Sequence, residues 1–279
     1  MKLPPVLVEK AAPADSAARA ERDRSFLIFA GIVLVAIALG FKSELLGPGQ
    51  VWALALGLVV IAAPALLGYL RGTAEFPRIE HYIPVALGAI TLAGLSLFPD
   101  VGLWKYAVAT AVFGAGFIIA ARLDYLRLRD QEKRGHVVLQ EVMLVVVVFG
   151  AYLVVVTLFF KLHFNPILFL LWVFTITFLA SYRSFRINGI AIAPRRSLIF
   201  ALFVAQVVTF LAWAIIALAL YLVIQEGWFA VVLMIAWYIN RGLVRHTVED
   251  SFTTNVVLEY GAFAIVLIYL FVSSYQPAR

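Results

Sequence analysis

The sequence RLDYLRLRDQEKRGH, residues 122–136, is the longest charged interruption in a chain that is otherwise rich in apolar residues. It carries five basic and three acidic side chains. Charged groups at this density are excluded from hydrocarbon, so we expect the stretch to lie in water at the face of a membrane. It separates one apolar block from a larger one, and the fold is decided by how these two blocks cross a bilayer.

The composition also indicates a membrane protein. Of the 279 residues, 64% are hydrophobic and 14% are charged, whereas soluble domains have about 45–50% apolar and about 25% charged residues. A soluble fold cannot hide this much apolar surface, but lipid solvates it. No stretch outside the apolar runs is long enough to bury a core of its own. The sequence therefore predicts an all-α integral membrane protein, a polytopic bundle of about nine transmembrane helices.

The predicted spans follow from a requirement of about 20 apolar residues for each crossing. They lie near residues 25–41, 51–70, 83–98, 103–121, 138–160, 165–182, 198–224, 227–240 and 256–274. The third run is short and interrupted by proline and glycine, so it is predicted to be tilted, broken or re-entrant. The eighth becomes polar at Asn240–Arg241, although its helix can continue past the hydrocarbon edge.

The loop charges predict the orientation. With nine spans, eighteen Lys and Arg residues fall on the side of the N-terminus and four on the other side. The positive-inside rule then places the N-terminus in the cytoplasm and the C-terminus outside. The predicted organisation is a mobile cytoplasmic tail (1–24), a transmembrane domain (25–274) with a central cytoplasmic loop (122–137), and a short C-terminal tail (275–279). The expected location is a prokaryotic cytoplasmic (inner) membrane.

Residue types exclude several chemistries. Cysteine is absent, which rules out disulfides, thiolate metal sites and a cysteine nucleophile. The net charge of +6 is spread between apolar runs, so it indicates topology and no nucleic-acid partner. The centres of the predicted spans are free of charge, which argues against a pump with a carboxylate relay. No phosphate loop, HExxH zinc motif or GxSxG elbow occurs. We therefore assign no catalytic residue and no metal ligand, and these motifs identify no particular cofactor.

Glu259, in the sequence VVLEYGAF, is the best single candidate for a functional residue. It enters the apolar part of the last span, where a carboxylate keeps a cationic partner or is protonated. Basic residues of the preceding segment, Arg241, Arg245 and His246, lie on the same side and can reach it. The alternative is a structural ion pair that fixes the last two helices.

The stretch NRGLVRHTVEDS, residues 240–251, is the densest polar cluster after the central loop. Its candidate residues are Asn240, Arg241, Arg245, His246, Glu249 and Asp250. Such a cluster can hold a phosphate, with carboxylates that position a metal or act as a base. However, the paired aspartates typical of enzymes acting on polyprenyl or diacylglycerol phosphates do not appear.

Uncharged polar residues occur in the middle of two spans. They are Gln206 and Thr209 in the seventh span and Thr175 and Thr177 in the sixth. Such groups form hydrogen bonds between helices that contribute about 0.6–2 kcal/mol each. The fourth span also carries small residues suited to close packing, namely Ala107, Ala111, Gly114, Ala115 and Gly116. Both features are typical of helix packing, and substrate contacts are the alternative.

Three functional hypotheses follow. The first is a non-enzymatic membrane subunit, a structural or anchoring component that binds membrane lipids and partner membrane proteins or further copies of itself. The second is a transporter or channel for a neutral or lipidic solute that uses Gln206 and the threonines. The third is a membrane enzyme acting on a lipid or isoprenoid phosphate at the cytoplasmic face, with residues 240–250 and Glu259 at its site.

Overall fold

The computed structural model describes residues 25, 27–38, 48–70, 79–98, 101–128, 134–161, 163, 165–187, 193–219, 226–251 and 253–273. These residues form nine α-helices and one short 3-10 helix, and the described ranges contain no strand. The helices are α1 (Leu27–Ala38), α2 (Pro48–Leu70), α3 (Ile83–Ser96), α4 (Leu103–Leu128), α5 (Arg134–Lys161), α6 (Pro166–Ile187), α7 (Pro194–Ala219), α8 (Glu226–Val248) and α9 (Thr254–Ser273). The 3-10 helix is Ile79–His81. The predicted tails lie outside the described residues.

Among the described residues, six helices are long and apolar enough to cross a membrane, so the chain is an integral membrane protein of the all-α class. The segments that meet this criterion are Ile79–Ser96, Leu103–Arg127, Gly135–Lys161, Pro166–Ile187, Pro194–Ala217 and Glu226–Val248. The first of them combines the 3-10 helix with α3. Three further helices contain shorter apolar segments, Leu27–Ala38, Ala55–Leu67 and Thr254–Val266. The membrane class predicted from composition is confirmed, whereas the count of nine spans and the orientation stay predictions.

Several helices extend further into the charged segments than the hydropathy predicts. Helix α4 continues to Leu128 and α5 begins at Arg134, so the predicted central loop 122–137 is helical on both sides of residues 129–133. Helix α8 continues to Val248 past the polar residues Asn240–Arg241. Charged side chains at these ends pair with other helices, as described below, and this pairing lets the helices continue beyond the apolar runs.

Successive helices run antiparallel. The end of α2 meets the end of α4, where the rings of Tyr69 and Tyr125 lie 5.0 Å apart. The end of α6 meets the start of α7, where the rings of Phe185 and Phe200 lie 6.2 Å apart. Helices α2, α4, α6 and α8 therefore finish at one end of the bundle, at which α3, α5, α7 and α9 begin. We call it the basic end, because the arginines of these helix termini lie there.

Helix α3 is the centre of the bundle. Ile83 and Leu87 belong to an apolar core shared with α5, α6, α7 and α8. Val85 and Leu92 belong to a second core shared with α1, α2 and α4. Of the predicted alternatives for this segment, the broken helix is wrong: α3 is continuous from Ile83 to Ser96, because Pro84 falls in its first turn, where the missing N–H leaves no hydrogen bond unmade. A tilted or re-entrant segment stays a prediction.

Two glycines let other helices approach α3 closely. A methyl group at Gly88 would overlap the Phe113 ring of α4, and one at Gly94 would overlap the side chain of Val154 on α5. In a membrane, such small residues bring helix backbones close enough for van der Waals packing to hold the helices together. The glycines that suggested an interrupted span instead fit α3 between its neighbours.

Candidate functional site

A buried polar cluster lies at the basic end and joins four segments of the chain. Asp124 of α4 is its centre: its Oδ2 lies 2.9 Å from Nδ1 of His81 in the 3-10 helix. Nη2 of Arg183 on α6 lies 3.2 Å from Oδ1 and 3.4 Å from Oδ2. Gln140 of α5 donates from Nε2 to Oδ1 at 3.2 Å. We call these four residues the Asp124 cluster.

The charges of this region are paired within the protein. Asp124 is 1% exposed and Arg183 is 5% exposed, and a buried carboxylate is stable only with such a partner. Arg183 also donates from Nη1 to the backbone carbonyl of Glu80. The Glu80 side chain accepts from Nη2 of Arg186 at 3.3 Å. Two carboxylates thus face two guanidinium groups, and the region has no net charge when His81 is neutral.

Gln140 has a hydrogen-bonding atom that the protein leaves unused. A carboxylate only accepts hydrogen bonds, so the amide nitrogen must be the atom that faces Asp124. The remaining atom, Oε1, is buried and has no hydrogen-bond partner. A buried acceptor without a partner costs about 1–3 kcal/mol, and such atoms in a native fold call for an explanation.

An apolar cleft of about 480 Å³ adjoins this cluster. Helix α3 forms its back wall from Pro84 to Leu95, and α4 and α5 form its sides. At 1.5 Å for each helical residue, the cleft is about 17 Å long. Its walls are almost entirely apolar, and its polar lining residues are Thr91, Gln140 and Arg183. The volume falls within the range of about 300–1,000 Å³ that is typical of small-molecule sites.

The cleft opens sideways, between α4 and α5. Several of its lining side chains are exposed on the outside of the bundle, among them Val112 and Ile119 of α4 and Val142 and Val146 of α5. Both helices are long and apolar enough to cross a membrane. A bilayer around them would put hydrocarbon at this opening, and a molecule dissolved in lipid would then reach the cleft without entering water.

A second polar cluster joins α5 to α8. Arg241 donates from Nη1 to Oε2 of Glu141 at 2.7 Å. Arg245 donates from Nη1 to the other oxygen of Glu141 at 3.4 Å, and from Nε to Oε1 of Glu249 at 2.9 Å. The Arg241 guanidinium also lies 4.9 Å from the ring of Trp237. We call Glu141, Arg241, Arg245 and Glu249 the Glu141 cluster. It fastens two helices and leaves little unpaired charge for a phosphate.

The other candidates near the end of α8 have local partners. Asn240 donates to the carbonyl of Ala236 at 2.8 Å. Nδ1 of His246 lies 2.8 Å from the Ser251 hydroxyl. Asp250 has a positive φ of 47°, a conformation that aspartate tolerates and that commonly ends helices. It is exposed in the turn after α8.

Glu259 is exposed near the start of α9 and accepts a hydrogen bond from the Tyr238 hydroxyl at 3.3 Å. Of the three expected cationic partners, Arg241 and Arg245 face Glu141, and Nδ1 of His246 faces the Ser251 hydroxyl. Sequence reasoning chose a carboxylate close along the chain, whereas the structure uses one about 100 residues earlier. The connection between α8 and α9 is therefore not fixed by the predicted ion pair.

The four polar residues expected at mid-depth have different environments. Thr177 is buried and its hydroxyl lies 2.6 Å from that of Tyr152 on α5, so it joins two helices. Thr175 bonds only within its own helix, to the carbonyl of Leu171. The Thr209 hydroxyl is buried and has no hydrogen-bond partner. Gln206 is exposed on the outer face of α7 and does not line the cleft.

The small residues of α4 serve two sides of that helix. Gly114 is buried and packs against Val35 and the backbone of Gly31 on α1. Ala115 and Gly116 line the cleft, where their small size leaves space. The remaining two, Ala107 and Ala111, are half-buried and exposed respectively. Part of the predicted packing stripe thus shapes a cavity.

Sequence reasoning missed the Asp124 cluster. The charged stretch 122–136, which contains Asp124, was expected to lie in water, and no site was predicted from His81 or Arg183. Their partners are 43–59 residues away along the chain, and no local pattern reveals such pairs. The sequence did contain one signal: all four residues of the cluster lie at predicted helix ends on the same side of the membrane. Within the described ranges, no group of three His, Asp or Glu residues is placed to hold a metal ion.

Comparisons with known proteins give no relative: no protein-family model, no curated protein and no solved structure matches the chain.

Proposed function

We propose that the protein is a non-enzymatic integral membrane protein that binds a lipidic molecule in the cleft between α3, α4 and α5. The observation that carries this proposal is the combination of an apolar cleft of about 480 Å³ with one polar end at Gln140 and Arg183. The proposal combines features of two roles expected from the sequence. One is a membrane subunit that binds lipid, and the other is a protein that takes a lipidic solute.

The shape of the cleft favours an amphiphile over a water-soluble ligand. Its walls offer almost no hydrogen bonds along α3, α4 and α5, so a soluble molecule would lose its hydration there without replacement. An alkyl or isoprenoid chain makes no hydrogen bonds with water, so it loses none when it enters the cleft. The polar end at the Asp124 cluster supplies the few fixed polar groups that orient a ligand in an otherwise apolar site.

Two of the sites expected from the sequence gain less support. Phosphate chemistry at residues 240–251 would need basic groups that are available to a substrate, and Arg241 and Arg245 are engaged by carboxylates. A solute path through Gln206 would need this residue to face the interior, whereas it lies on the outer surface of α7.

A topology of nine spans with a cytoplasmic N-terminus remains part of the proposal. It is supported by the eighteen-to-four distribution of basic residues between the two sides, which would put the basic end, and with it the polar end of the cleft, at the cytoplasmic face. An inner membrane of a prokaryote fits this arrangement.

Filling the cleft tests the proposal. A side chain at Gly116 would enter the cleft, since the nearest atom to an added Cβ is the flexible Met143 methyl group at 3.7 Å. We expect Gly116→Leu to reduce the amount of lipid retained after extraction in gentle detergent by about tenfold or more. The leucine side chain would occupy the space that the hydrocarbon chain of the lipid needs. Native mass spectrometry measures the retained lipid on the intact protein.

Gly57→Leu is the matched control. Gly57 lies within α2 and has no atom within 4 Å of an added Cβ, so the two substitutions share their effect on helix propensity. We expect the control to retain lipid like the wild type. Equal retention by all three proteins would show that lipid does not occupy the cleft and would overturn the proposal.

A second candidate function, a component of a membrane assembly, rests on Gln206. This amide lies at the middle of α7, thirteenth of its 26 residues, on an exposed face with Phe203 and Phe210. A polar group that faces hydrocarbon is unfavourable, and a partner helix relieves it by a hydrogen bond. An amide both donates and accepts, so Gln206 is complementary to itself across a two-fold axis. The favoured partner is a second copy of the chain.

Gln206→Leu tests this assembly. We expect the wild type to dimerise in detergent micelles and the variant to dimerise roughly threefold to tenfold more weakly, as follows from one intramembrane hydrogen bond. Single-molecule photobleaching or light scattering over a dilution series gives the dimer fraction. The control is Phe203→Leu, which keeps the amide. A wild type that is monomeric throughout, or a variant that dimerises equally, would contradict self-association through Gln206.

A further inference from the structure

The Asp124 cluster carries an inference about the head group of the bound molecule, which rests on the proposed function. We propose that the cleft selects an amphiphile with a neutral, hydrogen-bond-donating head, such as a long-chain or polyprenyl alcohol, and that Gln140 Oε1 accepts this hydrogen bond. The ligand class is defined by its chemistry: one hydroxyl group at the end of an apolar chain.

Gln140 presents an unused hydrogen-bond acceptor at the polar end of the cleft. Gln140 is 6% exposed, lines the cleft, and has an Oε1 atom without a partner. Its Nε2 is already committed to Asp124, at the rather long distance of 3.2 Å. Rotation about the terminal bond of a glutamine is soft, so the amide can adjust its orientation to a donor that enters the cleft. A ligand that donates a hydrogen bond satisfies this atom.

The charges at the polar end of the cleft disfavour an anionic head. Arg183 is the cationic residue that lines the cleft, but its Nη atoms donate to Asp124 and to the carbonyl of Glu80. A phosphate or carboxylate head would have to share the Arg183 guanidinium with the Asp124 carboxylate, which lies 3.2 Å from Nη2. Anionic heads are therefore disfavoured by repulsion and by the loss of an existing ion pair.

Quaternary cations and head groups that only accept hydrogen bonds also fit this end of the cleft poorly. A quaternary ammonium group has no N–H to offer Oε1, and the nearby carboxylates of Asp124 and Glu80 already face arginines. Ethers, ketones and esters accept hydrogen bonds, so they would place an acceptor against an acceptor. An alcohol is neutral, donates one hydrogen bond, and brings an apolar chain that matches the walls.

The test compares two ligands that differ only in the donor, 1-hexadecanol and its methyl ether. Tritiated 1-hexadecanol is bound to the full-length protein in lipid nanodiscs and displaced with either unlabelled compound. In the wild type, we expect the alcohol to displace the label at about tenfold lower concentration than the ether, as one hydrogen bond to an otherwise unsatisfied buried group implies.

Two variants locate the preference. Gln140→Met keeps the length of the side chain but removes the acceptor, so we expect alcohol and ether to compete equally. Thr91→Val is the control: Thr91 is the other uncharged polar residue of the cleft, and its hydroxyl already donates to the carbonyl of Leu87. We expect Thr91→Val to keep the tenfold preference.

Each outcome bears on a separate claim. Saturable binding in the wild type without preference for the alcohol overturns the inference and leaves the lipid-binding cleft in place. A preference that persists in Gln140→Met overturns the role of Gln140. Absence of saturable binding for both compounds removes the inference and counts against the proposed function. Since the wild-type comparison is decisive by itself, a Gln140→Met protein that does not fold leaves the test intact.

Discussion

Replacing Arg183 by methionine is expected to lower the free energy of unfolding by about 3–5 kcal/mol, the range for a buried ion pair that loses one partner. The substitution leaves the Asp124 carboxylate, 1% exposed, with His81 and Gln140 but without its guanidinium. It also frees the Glu80 carbonyl that Arg183 binds. Denaturation of the purified protein in mixed micelles, followed by tryptophan fluorescence, measures the change.

Two variants separate the ion pair from other effects. Arg195→Met removes the same side chain at an exposed position in the first turn of α7, and we expect a change within about 0.5 kcal/mol. The double variant Asp124→Asn with Arg183→Met removes both charges, so it should recover a large part of the lost stability. An Arg183→Met protein as stable as Arg195→Met would contradict the structural importance given to the Asp124 cluster.

Trp237→Ala is the second substitution with a large expected effect, a loss of about 3 kcal/mol. Trp237 is fully buried in the α8 side of the core, donates to the Ser181 hydroxyl at 3.1 Å, and packs beneath Arg241. Truncation of a buried tryptophan costs about 3–5 kcal/mol in soluble proteins. Lipid also solvates the unfolded helices, so the transfer contribution is smaller here and the lower end of that range applies.

The matched control is Trp213→Ala on α7. Trp213 is 52% exposed, so its removal leaves little cavity, and we expect a change of less than about 1 kcal/mol. The same denaturation assay compares both variants. Equal losses at Trp237 and Trp213 would contradict the packing described for α8.

Hydropathy predicted the class of the fold because the signal is local. A run such as 138–160 is apolar throughout and must be a helix in lipid, whatever its neighbours are. Helix ends were less predictable. Asp124 and Arg183 extend α4 and α6 beyond the apolar runs because they neutralise each other, and this pairing depends on tertiary contacts between segments 59 residues apart.

Glycine in α3 was ambiguous for the same reason. Gly88 and Gly94 suggested a broken or re-entrant span, since glycine weakens a helix in isolation. Their function becomes visible only with Phe113 and Val154 packed against them. The cleft could not be predicted at all, because it is the space left between three helices and has no sequence pattern of its own.

The ion pairs of α8 show a further limit. Arg241 and Arg245 were correctly seen as a basic group, but the carboxylate expected to meet them was Glu259, and Glu141 takes that place. Both carboxylates lie about one turn from the edge of an apolar run, so depth alone cannot distinguish them. The choice depends on which helix packs beside α8.

Photo-crosslinking is the most direct test of the lipid-binding cleft. A long-chain alcohol with a diazirine in its chain is incorporated into nanodiscs with the wild-type protein, irradiated, and its attachment sites are mapped by peptide mass spectrometry. We expect labelling concentrated on the cleft side of α3, α4 and α5, around Thr91, Gly116 and Met143, and reduced in Gly116→Leu. Labelling spread evenly over the lipid-facing sides of α7 and α9, and unchanged by Gly116→Leu, would contradict a specific site in the cleft.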